Sequence, residues 1–566
     1  MSQKKHNKIQ LEGDLLQKIL NISEGEKKEF IQLINSLLKQ ASTTEHLLAM
    51  QYLFTSFSLK KYPEEFSDYK PDSTDSEQQR INQIRLAQIE KIRRWEANIL
   101  MVSREEMGHL CYDMNLLAII GENPYLYRPN FPVPAESFPM GKPVNLMPFS
   151  PVAIEIFRYW EKPDHLPVSD PLDATEISDT LKKLFTIPHQ QSKPFDPIAS
   201  QQKALDFLSA FLSNDLQDSE LDKIHQPLIN GTYFDSVEEL YTFIRAFLII
   251  GLNYQIFEGQ NFERIVDEHY GFNITLNPLV IGQFVEYVDE AISQIVEEGE
   301  GVWGVPPSLG SHFWVFQTIL DEISNEEKIT GLPFEPALPV VWNPTISLEE
   351  NKHLKNPSTQ ENAPYEATYK VTNEVAIKAM ELFDQAYSVM VKMLSGFFGH
   401  YEIDQTTGIR PNKVNAYFQT AFYPFMTNII RPLGEMICRL PADADFVPNE
   451  GKVPERCAGP DFLLNISPNN ETDIKDAILP SDDCKYYLDQ FNDMSSKAEK
   501  LKNLCIEKGY HMAFYKQKDA RDFDTSFGYL QENFERIGKN FCAYWDGNME
   551  APVPSKGFQN YSNTFN

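Results

Sequence analysis

In the stretch "VSREEMGHL", residues 102–110, Glu106 and His109 stand three residues apart within a long run of helix-forming residues. Residues i and i+3 lie on one helical face about one turn apart, so a carboxylate and an imidazole so spaced can reach the same ion. A helical bundle that binds two iron or manganese ions takes a Glu from each of two helices and Glu-x-x-His from each of the other two. A lone pair at this spacing also occurs in acidic, solvated turns, so the assignment depends on whether other helices supply partners. On its own helix, Glu106 shares a stripe with Ile99, Val102, Asp113 and Leu117, whereas Glu105 falls with Met101 and Tyr112. Glu106 is therefore the inward glutamate.

Three further helical patterns each carry one. "STTEHLLAMQYLFTSFSL", residues 42–59, predicts a helix capped by Ser42 or Thr43 and apolar on nearly every face, hence buried. There Glu45 shares a face with Leu48, Ala49, Tyr52 and Leu53. An ionised carboxylate in such a place is costly unless a cation neutralises it; the alternative is that Glu45 serves the exposed amides of a helix start. "DSVEELYTFIRAFLIIGL", residues 235–252 with Asp235 or Ser236 as cap, puts Glu239 on the face of Phe243, Ala246, Phe247 and Ile250. "GQFVEYVDEAISQIVEEGEG", residues 282–301, runs the stripe Val285, Val288, Ile292 and Val296 into Gly299 and Glu300, with Glu297 held in reserve. With the helix of Glu106 spanning about residues 80–120 and stopping at Gly121 and Pro124, Glu45 is early, Glu106 and His109 late, Glu239 early and Glu300 late. In an up-down bundle these positions gather at one end.

The second histidine is His312 in "SLGSHFWVFQTIL", which follows a Gly-rich turn; Leu309 occupies the place where a second Glu-x-x-His would need its glutamate. His312 is read as either a ligand or part of the next helix's cap, and His46 as a core residue. Tyr52, Tyr112 and Trp303 are candidate neighbours of the centre.

The 566 residues exceed one hydrophobic core, and a composition break near residue 345 divides the chain. Residues 1–345 are expected to form the bundle domain, with long, ordered, Pro-rich connections, and residues 346–566 a helical C-terminal domain. A net charge of -30 argues against nucleic acid or an anionic membrane as partner. The N-terminus has no signal-peptide pattern and no long uncharged apolar run occurs, so a cytoplasmic location is expected. Six scattered cysteines show neither CxxC pairs nor a CxxCH for covalent haem, and are read as free thiols.

Several stretches, among them "REEMGHL", "RPNFPVPAESFPMGKPVNLMPFSPVAIEIFRYWEKPD", "EGEG", "SHFWVF", "PVVWNP" and "CAGPDF" within residues 40–465, together resemble the ferritin-like proteins of the iminophenyl-pyruvate dimer synthase type. Namesakes of that family act in violacein and rebeccamycin-type bisindole biosynthesis. The resemblance implies an all-α, ferritin-like four-helix bundle with a non-haem metal site. It also supports Glu45, Glu106, His109, Glu239, Glu300 and His312 as ligands for two iron ions, or iron and manganese. The expected activity is an oxidation of an amino-acid-derived or aromatic small molecule by O2 or peroxide, with Glu106 and Glu300 bridging. A homodimer is left open as the assembly. The competing expectation is a ferritin-like scaffold or binding module without catalysis, motivated by Leu309 and the acidic surface.

Overall fold

The computed structural model describes residues 9, 11–135, 138–140, 142–162, 197–213, 234, 236–257, 284–299, 310–346, 368–400, 411–448, 453–464, 480–510 and 522–549. Among them the chain is helical almost throughout. Its strands are a two-residue parallel pair, Pro344–Thr345 (β1) beside Tyr369–Lys370 (β2). No helix among the described residues is long and apolar enough to cross a membrane.

After a short α1 (Gly13–Leu20) comes α2 (Glu24–Phe57), which begins well before the segment that the sequence pattern marks. Its true N-cap is Ser23, in a reciprocal capping box with Glu26. Ser42, Thr43 and Thr44 only imitate a helix start. All three are buried in the helix interior, where Thr44 Oγ1 donates back to the Gln40 carbonyl at 3.0 Å and Thr43 Oγ1 to the Tyr127 carbonyl at 3.3 Å. Glu45 consequently lies past the middle of α2, far from the free amides of its first turn.

The next long helix, α3 (Ser76–Ile119), is capped by Asp75, whose carboxylate accepts from the Gln78 N–H at 2.9 Å. Then follow α4 (Pro151–Trp160), α5 (Pro197–Phe211), α6 (Val237–Asn253), α7 (Phe284–Gly299) and α8 (His312–Thr330). Helix α6 takes Ser236 as its cap, with Ser236 Oγ 3.0 Å from the Glu239 N–H. Helix α2 packs on α3 and α6, and α7 on α6 and α3, so these four close into a bundle. Helix α5 lies against α6, while α4 and α8 pack on each other and α8 also on α3. The Pro-rich connection after α3 is packed rather than loose: Leu126, Tyr127, Phe131 and Val133 are buried.

Beyond residue 345 the described elements are α9 (Glu374–Gly399), α10 (Asn412–Thr420), a wide-turn helical stretch (Ala421–Ile430), α11 (Arg431–Ile437), α12 (Cys484–Lys508) and α13 (Phe523–Trp545). The wide stretch contains Pro424, which has no N–H for the regular ladder. Both α9 and α11 touch α2. Tyr387 of α9 donates to His46 Nε2 at 2.6 Å, leaving Nδ1–H to donate to the Leu126 carbonyl at 3.0 Å. Burial, reinforced by the Arg128 charge, pushes His46 down to about 3, so it is a neutral core imidazole. At Gly434 of α11 a Cβ would stand 2.4 Å from the Phe57 ring, which makes glycine the residue that lets α11 approach α2. All six cysteines are free thiols.

Arg439 and Glu65 form an ion pair at 2.9 Å with side chains only 3% and 0% exposed. Removing one member leaves the other charged and buried. Arg439→Met is expected to lower unfolding free energy by about 3–5 kcal/mol in chemical denaturation, and the double variant with Glu65→Leu to recover a substantial part. A single variant as stable as the parent would show that Glu65 needs no counterion.

Candidate metal centre

Where α2 and α3 lie antiparallel, Ser103 Oγ donates to the Ala49 carbonyl at 3.1 Å, and one turn further along the pair Glu45 comes opposite Glu106 and His109. His109 Nδ1 stands 3.3 Å from Glu45 Oε2 and 3.2 Å from Glu106 Oε2. The other oxygen of Glu106 faces a second imidazole: His312 Nδ1 is 3.0 Å from Glu106 Oε1 and 3.5 Å from Glu161 Oε2. Two triads thus share one carboxylate. Glu45, Glu106 and His109 form the first and Glu106, Glu161 and His312 the second, each with its ligand atoms within 4.8 Å of one another. All five residues are buried, and the two imidazole rings lie 5.6 Å apart.

Each ring is gripped from behind. His109 Nε2 is 3.1 Å from Glu298 Oε2, and Glu298 Oε1 accepts from Gln294, whose own carbonyl accepts from Tyr112 at 2.7 Å. His312 Nε2 is 3.1 Å from Glu105 Oε2. A carboxylate on the far nitrogen keeps a proton there, so that Nδ1 is the nitrogen whose proton a cation at the centre would replace. The outer carboxylates are held by phenols. Tyr241 OH donates to Glu45 Oε1 at 2.8 Å and also lies 3.2 Å from both oxygens of the buried Asp113, while Tyr52 OH donates to Glu161 Oε1.

Packed this tightly, the acids disturb one another. Burial and the neighbouring Glu106 charge push Glu45 up to about 8. Burial and the Glu45 charge likewise hold Asp113 well above the usual carboxylate range. Burial works against a charge on His109, yet hydrogen bonds to Glu106, Glu298 and Glu45 raise it well above the ordinary imidazole value. Burial opposes a charge on His312 as well, and the charges of Glu106 and Glu161 outweigh it. Glu106 ends below its ordinary value, because the imidazoles overcome burial and Glu161. The cluster is one that positive charge would relieve.

A test of metal fit comes from atoms that protein alone does not satisfy. Glu106 Oε1 and His312 Nδ1 are buried and close, but not aligned for a hydrogen bond, and neither makes a hydrogen bond to another group. A buried polar atom without a partner pays its full desolvation cost. Carboxylate oxygens and imidazole nitrogens converging from separate elements are the donor set of iron and manganese. The residues fit such ions.

Of the residues the sequence singles out, the structure brings together Glu45, Glu106, His109 and His312. It places Glu239 elsewhere: that side chain is buried but ion-paired with Lys203 of α5 at 2.6 Å, and Tyr241, two residues on, is what α6 directs at the cluster. The α5 segment was not expected as a helix, so the Lys203 partner was not anticipated. Glu300, Leu309 and Trp303 lie outside the described residues. From α7 the residue that reaches His109 is Glu298, rather than Glu297. The buried residues of α7 are Phe284, Tyr287, Val288, Ala291, Ile292, Ile295 and Gly299: Val288 and Ile292 of the expected stripe face the core, Val285 and Val296 sit at its edge, and Glu298 follows Ile295 on the Tyr287–Ala291 side. Glu161 was also missed. It terminates the apolar run "VAIEIFRYW" four residues after buried Phe157, a signal hidden by reading this region as connection.

A family model described as ferritin-like matches residues 38–321, half of the chain. Dichlorochromopyrrolate synthase of Lentzea aerocolonigenes is 27% identical over 186 residues, a match covering 31% of this chain and 15% of that protein. No solved structure matches.

The raised Glu45 value has a consequence for stability. Without metal, folding is favoured by the protonated carboxyl; this contribution is complete below the ordinary value of 4.5 and is lost as pH rises through about 8. The melting temperature of metal-free protein is expected to fall between about pH 5 and about pH 8 and to level off above, while the increment on adding Mn2+ grows over the same interval. Calorimetry at a series of pH values checks this. Glu45→Gln should flatten both trends, and unchanged trends in that variant would remove Glu45 as their source.

Proposed function

The chain belongs to the ferritin-like family, and on that premise we propose that it is a non-haem di-iron oxidoreductase of secondary metabolism. In this reading it uses O2 or peroxide to oxidise an amino-acid-derived or aromatic small molecule, in the manner of the iminophenyl-pyruvate dimer synthase type. Iron with manganese is the alternative metal pair. The observation that carries the reading is Glu106, a buried carboxylate whose two oxygens face two different imidazoles, one in each ligand triad. The partial match to a protein named as a synthase of dichlorochromopyrrolate supports a biosynthetic role on a small molecule.

The roles of the residues follow from their positions. Glu106 would be shared between the ions; Glu45 with His109, and Glu161 with His312, would complete the two halves. When bound, the ions supply the redox chemistry with the oxidant, which the side chains alone cannot perform. The protein's own part is geometric and electrostatic. Glu298 and Glu105 hold the imidazoles in one tautomer, and Tyr241 and Tyr52 stop the outer carboxylates from rotating. Tyr52, Phe157 and Phe316, with ring centroids 4.8–5.5 Å apart, wall the second half with aromatic surface that keeps water out. The centre would belong to residues 1–345, with the helices of residues 346–566 as a separate domain beside it, in a cytoplasmic protein.

Purified protein is expected to carry close to two iron or manganese ions per chain by elemental analysis. Glu106→Ala combined with His109→Ala should lose both while far-ultraviolet circular dichroism stays helical, and O2 consumption dependent on added ferrous iron should disappear with them. Metal retained at the parent level by that double variant would overturn the assignment.

A further inference from the structure

The two halves of the centre are not equivalent. In the first, every facing atom is already occupied: His109 Nδ1 is hydrogen-bonded between Glu45 Oε2 and Glu106 Oε2 at 3.3 and 3.2 Å, and Glu45 Oε1 accepts from Tyr241 at 2.8 Å. In the second, Glu161 Oε1 likewise accepts from Tyr52, but the facing atoms are held by charge alone: His312 Nδ1 lies 3.0 Å from Glu106 Oε1 and 3.5 Å from Glu161 Oε2, and Glu106 Oε1 and His312 Nδ1 are buried without an aligned hydrogen bond. An ion entering the first half must displace two hydrogen bonds. An ion entering the second breaks no aligned hydrogen bond at the facing atoms; it replaces the imidazole proton and gives Glu106 Oε1 and His312 Nδ1 the directed partner that each lacks.

The ligands also differ in origin. Glu45, Glu106 and His109 lie within long helices of the bundle, past the middle of α2 and of α3. Glu161 is the residue that ends α4, and His312 the one that opens α8. These two helices form a unit of their own: Arg158 donates to Gln317 at 2.6 Å and Phe157 meets Phe316 at 5.5 Å. That unit rests on the bundle through Tyr52, through Glu105 and Glu106, and through Trp95, whose indole donates to Glu322 at 2.6 Å. An ion bound by Glu106, Glu161 and His312 would tie the α4–α8 unit to α3 where Glu106 and His312 face each other without an aligned hydrogen bond.

We propose that the centre loads in a fixed order, the Glu106, Glu161 and His312 position first and more tightly, and that this first ion clamps α4 and α8 onto the bundle. The position of Glu45 and His109 fills second, using a Glu106 carboxylate already held through its other oxygen. This rests on the di-metal reading above and adds to it an order and a structural role for one ion.

The test is a titration of metal-free protein with Mn2+ alone, followed by electron paramagnetic resonance of the free ion, with hydrogen exchange read after the first equivalent. Two classes of site are expected, with dissociation constants at least about tenfold apart. Glu161→Gln and, separately, His312→Asn should each abolish the tighter class; Glu45→Gln should leave it intact and remove the weaker one. Exchange across residues 151–160 and 312–320 should slow on the first equivalent, and the second equivalent should add little there. Two equal sites, or a tight class that survives Glu161→Gln and vanishes with Glu45→Gln, would overturn the order while leaving the di-metal reading in place. A folded parent protein that binds no Mn2+ would overturn both.

Discussion

One buried carboxylate organises the centre. Glu106 is 2% exposed, and its two oxygens point at two different imidazoles. Around it, Glu45, Glu161 and Asp113 are buried as well, a concentration of acid that a low-dielectric interior tolerates only with compensating positive charge. Metal-free protein meets this demand with protons and charged imidazoles, which is why Glu45 is pushed up to about 8 and both histidines are held well above their ordinary value. Divalent ions would meet it better, because they also satisfy Glu106 Oε1 and His312 Nδ1.

The surrounding layers read as the means of keeping that arrangement fixed. Imidazole orientation depends on carboxylates about one-third exposed, Glu298 at 31% and Glu105 at 30%, so the rings are aimed from the solvent side while their other nitrogens face inward. Tyrosines from α2 and α6 hold the outer carboxylates from the core side. On the far flank of α2, His46, Tyr387 and Arg128 join the helices beyond residue 345 to the Pro-rich connection. Arg128 donates to Tyr387 at 3.2 Å and to the Phe462 carbonyl, and its guanidinium lies 4.8 Å from the Phe131 ring centre. The helix that carries Glu45 is thus packed on both sides, and its carboxylate has little freedom to move away from the cluster.

Much of the architecture was legible because it depends on local periodicity. Helices α3, α6 and α7 lie within a few residues of where apolar spacing and capping residues put them, and the all-α class follows from the same pattern. The start of α2 was misjudged for an equally local reason. Ser42, Thr43 and Thr44 carry the side chains of a cap, and only the tertiary structure shows that all three are buried inside a continuous helix, with the Thr43 and Thr44 hydroxyls bonded to the Tyr127 and Gln40 carbonyls. Glu45, Glu106 and His109 could be found because charge on an apolar helix face is expensive and therefore informative. Glu239 looked equivalent by that criterion, but its counter-charge is Lys203 from a helix whose place could not be read in advance.

The sequence by itself determined the all-α class, most of the bundle's helices and the inward placing of Glu45, Glu106 and His109, a group of residues that could hold a cation, since all of these are consequences of spacing along one chain. Only the tertiary structure decided which carboxylates complete the cluster. Glu161 ends α4, beside His312 at the start of α8, and Glu105 and Glu298 stand behind the imidazoles because of how α8 and α7 lie against α3. No periodicity encodes such a meeting. It depends on the angles and offsets at which whole helices pack, and these are set by the sum of many apolar contacts rather than by any residue of the site.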